Sequence, residues 1–194
     1  MELCVCIFDL ESGMLCPSCQ SKLDRGEITQ FDVDFSSWLL DRAEKYSGID
    51  DLHLVRAIQV KDYVILVVER GQSELILSNE SLVEDIEAEF GDLMVIEGPT
   101  KMRTLIKKLI DPVVEVGINS LYLPDGTRES IVMLKEEDRA RLRYSPDTLG
   151  EIISAVTGQH VIFDFQTEEK EEEEEDETDT FAEKMKEFSS RRRF

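Results

Sequence analysis

The chain has 194 residues, 41% of them hydrophobic, and a formal net charge of −21. No apolar run approaches the roughly 20 residues that a membrane span needs, and Met1-Glu2-Leu3-Cys4 lacks the basic-then-apolar pattern of a secretory leader, so a cytoplasmic protein without membrane contact is expected. Residues 168–194 carry 12 acidic and 6 basic side chains, so the rest of the chain keeps a net charge of −15; so acidic a surface repels phosphate backbones, and any nucleic-acid contact has to use local basic patches.

Residues 1–33 read as a small cysteine-bearing head. Cys4 and Cys6 stand in the alternating stretch Leu3-Cys4-Val5-Cys6-Ile7-Phe8, a strand pattern that puts both on one face. Ser12-Gly13 and Cys16-Pro17-Ser18-Cys19 read as turns. Ser36-Ser37 caps a predicted helix with Leu39, Ala43 and Tyr46 on one face. Strands are predicted near Leu52–Val60 and Tyr63–Glu69, around a turn at Lys61-Asp62, with a short helical turn between Gly71 and Leu77. Ser81-Leu82-Val83-Glu84 has the form of a capping box opening a helix that buries Leu82, Val83, Ile86 and Phe90, stopped at Gly91-Asp92 before a strand at Leu93–Ile96.

Met102, Leu105, Ile106, Leu109 and Ile110 follow the helical period, and Pro112 ends that helix. Strands near Val113–Leu123 and Arg128–Leu134 flank the turn Pro124-Asp125-Gly126. A short helix is expected from Lys135 to Leu142, then a helix capped at Thr148 that buries Leu149, Ile152, Ile153 and Val156, then a strand with Val161, Phe163 and Phe165 alternating. Glu168–Asp179 is a solvated acidic run expected to be disordered. Phe181, Met185 and Phe188 have helical spacing and offer a partner-binding stripe, beside the alternative of a frayed terminal helix. The acidic run is also a candidate internal competitor for the basic patches.

A shift of 67 positions lays Val64-Ile65-Leu66-Val67 over Ile131-Val132-Met133-Leu134, Ser81-Leu82 over Thr148-Leu149, Gly91 over Gly158 and Val95 over Ile162. A duplicated α/β unit of this size points to a tandem binding module rather than one catalytic pocket. The expected class is α+β, with a head at 1–33, repeats at 34–98 and 99–166, and an acidic tail at 167–194.

The element order, helix-strand-strand-helix-loop-helix-strand, resembles the type II KH domain, and two copies in tandem resemble the KH pair of NusA. Cys6 with Cys16-Pro17-Ser18-Cys19, Lys22-Leu23-Asp24-Arg25-Gly26-Glu27-Ile28-Thr29, and Gly117-Ile118-Asn119 with Leu123-Pro124-Asp125-Gly126 are similar to archaeal NusA-like KH proteins. The resemblance covers residues 1–165 and implies an RNA-associated factor of transcription elongation or termination. A KH domain carries GxxG between its central helices, where the backbone cradles phosphate. Here those loops are Ser78-Asn79-Glu80-Ser81 and Arg143-Tyr144-Ser145-Pro146-Asp147. Both lack glycine and read as helix caps, so no GxxG contact is carried onto them.

Cys4-x-Cys6 and Cys16-x-x-Cys19 have the spacing of a closed tetrahedral Zn²⁺ site, which would contribute folding free energy to a head too small for its own core. Beside this stand two other readings: Cys4 and Cys6 as ordinary strand residues, and the CPSC segment as a redox pair, which lacks the βαβ surroundings of that motif. Two basic groups are candidate RNA contacts: Lys101, Arg103, Lys107 and Lys108 on one helix, and Arg139, Arg141 and Arg143 with Tyr144 as a stacking aromatic. With only His53 and His160 as histidines and no phosphate-loop, dinucleotide or metalloprotease motif, an enzyme with a small-molecule substrate is not expected. The reading is an RNA or ribonucleoprotein partner, with RNA polymerase or the ribosome as the machine; the alternative is a protein–protein adaptor whose acidic surface and residues 181–188 dock basic partners.

Overall fold

The computed structural model describes residues 1–124, 126 and 128–166. The acidic run, the 181–188 stripe and the tail boundary at 167 lie outside the described residues. The described residues divide into two compact units, Met1–Leu105 with Glu151–Gly158, and Ile106–Gly150 with the described residues from Gln159 to Gln166. The class is mixed α+β with two small sheets.

In the first unit α1 (Ile7–Ser12), α2 (Pro17–Asp24) and α3 (Gln30–Arg42) precede β1 (Leu54–Val60) and β2 (Tyr63–Glu69), and α4 (Ser73–Leu77) and α5 (Glu80–Phe90) lead to β3 (Asp92–Gly98). The strand order is β1-β2-β3, β1 antiparallel to β2 and β2 parallel to β3. The central strand β2 is buried from Val64 to Val68 without alternation, the mark of a strand covered on both faces. Phe35, Leu39, Leu54, Leu66, Leu82 and Ile86 belong to one buried cluster, which also contains Cys4, Val5 and Cys19, so the head shares the core of this unit.

After α6 (Met102–Ile110) come β4 (Gly117–Tyr122), β5 (Arg128–Lys135), a 3₁₀ segment (Glu136–Arg141), α7 (Pro146–Thr157) and β6 (His160–Gln166). The strand order is β4-β5-β6, again antiparallel then parallel. Here the central strand β5 alternates, burying Ser130, Val132 and Leu134, the pattern of a sheet with one packed face. The repeat seen in the sequence is thus a repeat of topology. α5 and α7 begin 66 residues apart (80 and 146), and β3 and β6 begin 68 apart (92 and 160). The offset grows by two between these points because α7 is one residue longer than α5 and is followed by a two-residue rather than a one-residue link to its strand.

The N-terminal stretch corrects the strand expectation. Only Glu2 makes a bridge, to His53, and Cys6 is already the cap of α1. The period-2 pattern was too short to outweigh a helix anchored by its neighbours. α3 begins at Gln30, six residues before the expected cap, because Thr29 and Asp32 form a capping box. Ser36 lies inside the helix, its Oγ donating to the Asp32 carbonyl, and the expected boundary at residue 33 falls within α3. The caps of the later helices also sit upstream of Ser81 and Thr148: Asn79 Oδ1 accepts from Leu82 N, and Ser145 Oγ accepts from Thr148 N.

Gly91 closes α5 at φ +101° and lies against the Asp62 turn, whose carbonyl accepts from Asp92 N at 2.8 Å. A Cβ at Gly91 would collide with that carbonyl, whereas one at Gly71, also at positive φ, meets nothing within 4 Å. Gly91→Ala is therefore expected to cost roughly 2–4 kcal/mol and Gly71→Ala about 1 kcal/mol, read as urea midpoints.

Candidate metal centre

Two short helices bring together four side chains that could hold a metal ion. Cys6 is the N-cap of α1 and Asp9 its third residue; Cys16 is the N-cap of α2 and Cys19 its third residue. An N-cap side chain turns back over the first helical turn toward the third position, so each pair meets. Pro17 at the first position of α2 suits the helix start, since that position needs no N–H. The Cys6 carbonyl accepts from Asp9 N and Leu10 N, the Cys16 carbonyl from Gln20 N, and Cys16 Sγ accepts from Cys19 N at 3.5 Å.

The ligand atoms of Cys6, Asp9, Cys16 and Cys19 all lie within 4.8 Å of one another, with Cys19 Sγ 3.5 Å from Cys6 Sγ. Asp9 and Cys19 are buried, Cys6 exposed and Cys16 between them. Hydrogen bonds from Cys19 and then from the Cys16 backbone hold the Asp9 carboxyl below the usual carboxylate range. Burial, and then the carboxylate of Asp9, push the Cys19 thiol up to about 12. Asp9 Oδ2 is buried without a hydrogen-bond partner. An unpartnered buried carboxylate oxygen carries a desolvation cost that a cation at this point removes. The donor set therefore fits a metal ion: three sulfurs and one oxygen converging on one volume.

Cys4 stands apart. Its Sγ contacts Ser36 Oγ at 3.0 Å and the Asp32 carbonyl at 3.5 Å, and burial pushes its thiol up to about 11. It packs as a neutral core residue, and Asp9 takes the place expected for it. Asp9 had a signal in the sequence: Cys6-x-x-Asp9 has the same spacing as Cys16-x-x-Cys19, ten residues earlier.

The basic candidates are dispersed. Lys101, Arg103, Lys107 and Lys108 are exposed, opposite the buried Leu105, Ile106 and Ile110, and Lys107 Nζ reaches Glu115 at 3.2 Å. Arg139 pairs with Glu136 at 2.9 Å and lies 4.2 Å over the Phe165 ring. Arg141 pairs with Asp138 at 2.7 Å, and Arg143 lies 5.4 Å over the Tyr144 ring. The two loops at the KH positions present caps: Asn79 Oδ1 at the start of α5 and Ser145 Oγ at the start of α7.

No family model matches the chain, and no curated protein matches it in sequence. Among solved structures it is similar to one described as the crystal structure of APE1850, at a TM-score of 0.48 and 18% identity, covering 64% of this chain and 96% of that one.

Proposed function

We propose that this chain is a non-enzymatic, cytoplasmic, RNA-associated factor of the NusA-like type, built from two type II KH units behind a structural zinc site. The observation that carries the proposal is topological. Each half has an antiparallel strand pair and a third strand parallel to the second, with α4 and α5 between them in the first half and a 3₁₀ segment and α7 in the second, the arrangement expected of a type II KH unit. Zn²⁺ is the metal that three thiolates and one carboxylate suit. Cys6, Asp9, Cys16 and Cys19 would hold it, and a set of four protein ligands leaves it a structural role. The RNA partner would be met through Lys101, Arg103, Lys107 and Lys108 and through Arg139, Arg141, Arg143 and Tyr144.

A second reading has its own support. The helix N-termini at which a KH loop would cradle phosphate are taken by Asn79 and Ser145, and Glu80 opens α5. Arg139 and Arg141 each have an acidic neighbour. These features favour a protein-docking adaptor for basic partners such as polymerase or ribosomal proteins.

Single-stranded RNA binding by fluorescence anisotropy across a salt series separates the two. The first reading expects affinity that falls steeply with salt and drops about tenfold or more in the Arg139→Glu/Arg143→Glu variant. No RNA affinity at low salt, with salt-sensitive capture of purified polymerase or ribosomal proteins, establishes the adaptor.

A further inference from the structure

A groove of about 300 Å³ opens beside β1, with Ile28 and Leu54 among its apolar lining and Lys22, Glu27, His53 and Arg56 as its ionisable groups. β1 is an edge strand, and among the described residues its edge is covered at two points. Glu2 pairs alongside Leu52 and Leu54, after which the chain leaves for α1. Farther along, Asp32 Oδ1 accepts from Ala57 N at 2.7 Å. Between these points the strand register shifts, from Leu54 to Arg56, and the groove lies over that irregularity.

The charges in the groove are unevenly matched. Asp32 holds Arg56 by its Nε, at 3.0 and 3.1 Å to the two carboxylate oxygens, and among the described residues no acceptor meets the two terminal amino groups of the guanidinium. Lys22 likewise has no acidic partner among the described residues. Glu27, the one acidic side chain of the lining, is already engaged by Arg25, at 3.2 Å to Oε1 and 3.4 Å to Oε2. His53 turns Nδ1 toward Glu2 and Glu69, at 3.5 and 3.4 Å, which leaves Nε2 as its other polar atom. In a chain of net charge −21, two cationic side chains with spare donors thus share one concave site. The planar fork of an arginine matches phosphate bidentately, and Asp32 fixes its orientation in advance, which lowers the ordering cost of binding.

We propose that this groove binds a phosphate group between Lys22 and Arg56, carried by free phosphate or by a nucleoside monophosphate. The site is separate from the metal centre and from the basic groups assigned to RNA above. Its test is a ¹H–¹⁵N NMR titration of the full-length, metal-loaded protein with inorganic phosphate and, separately, with adenosine monophosphate at low ionic strength. Saturable shifts centred on Lys22, Val55 and Arg56 are expected. Lys22→Glu should weaken binding by about tenfold or more, and Glu27→Gln should tighten it about twofold to fivefold, as expected for charge changes next to a bound anion. Lys135→Gln should leave it unchanged. Metal content and Trp38 fluorescence report that each variant is folded. Tighter binding of the nucleotide assigns a nucleotide source, and equal affinity assigns free phosphate. Absence of saturation of either probe up to about 10 mM, weaker than any ligand of about −3 kcal/mol, overturns the proposal. So does a Lys22→Glu variant that binds as well as the parent. RNA affinity, present or absent, does not enter this readout.

Discussion

Asp9→Ala is expected to cost far more stability with metal bound than without. In the metal-free protein the substitution removes a buried carboxylate whose Oδ2 has no partner among the described residues but which also accepts from Cys19 and the Cys16 backbone; the two effects oppose each other, and the net change should stay within about 1 kcal/mol. In the zinc-loaded protein it removes one of four ligands, and affinity should fall by about two orders of magnitude or more, since even outer-shell changes at metal sites cost 10–100-fold. Competition with a chromophoric chelator measures the affinity, and thermal unfolding with and without zinc measures the difference. Cys16→Ser and Cys19→Ser should lose the metal, while Cys4→Ser keeps one zinc per chain because its sulfur lies against Ser36 and the Asp32 carbonyl. Two zinc-free outcomes would refute the site: a protein purified with zinc present that contains none, or chelation that leaves α1 and α2 folded. The binding free energy of structural zinc sites, roughly 10–16 kcal/mol, makes the loss of folding in this segment the largest effect expected.

Asp32→Ala comes next. Asp32 is fully buried, and its carboxylate accepts from four groups on two elements: Thr29 N at 2.7 Å and Thr29 Oγ1 at 2.9 Å at the start of α3, and Arg56 Nε and Ala57 N on β1. It caps its own helix, terminates the exposed edge of β1 and holds Arg56 by its Nε, the Arg56 side chain being 25% exposed. Truncation would leave a half-buried guanidinium and two N–H groups without acceptors, a cost of roughly 3–5 kcal/mol. Asp32→Asn keeps part of the hydrogen bonding and should cost less. Trp38, the single tryptophan, lies on the same helix and stacks on Phe35 with Phe90 at its edge, so its fluorescence in a urea titration reports this unit. An Asp32→Ala midpoint within error of the parent would remove Asp32 from the account of how α3 is joined to the sheet.

The sites differ in how well local chemistry announced them. Pro17 between Cys16 and Cys19 is a local signal, and the thiol pair is where the spacing placed it. Asp9 is less legible: Cys6-x-x-Asp9 repeats the spacing of Cys16-x-x-Cys19, yet one aspartate among 43 acidic residues is singled out only once a neighbouring helix is folded against it. Cys4 was drawn into the site by its spacing to Cys6 on a strand; once Cys6 caps a helix, the two no longer share a face. The arginines at 139, 141 and 143 formed a basic group in the linear chain, and folding gave two of them acidic neighbours three residues upstream. A 3₁₀ turn puts residues three apart on the same side.

Hydrophobic period and turn residues determined the strands of the two sheets and the helices from α3 on, whereas the start of the chain, read as a strand and two turns, folds as α1 and α2. β2 (Tyr63–Glu69) and the α6 stripe are local patterns that burial only had to ratify, and the 67-residue repeat required no knowledge of contacts. Tertiary structure decided what depends on partners far along the chain. It chose Thr29 over Ser36 as the start of α3, since Asp32 is held there by Arg56 and Ala57 from β1. It also placed Asp9 rather than Cys4 beside the other three thiols, since two helix N-termini have to face each other before a carboxylate and three thiols can meet. Caps and ligand sets are selected by groups more than a helical turn away, and no local pattern encodes that choice.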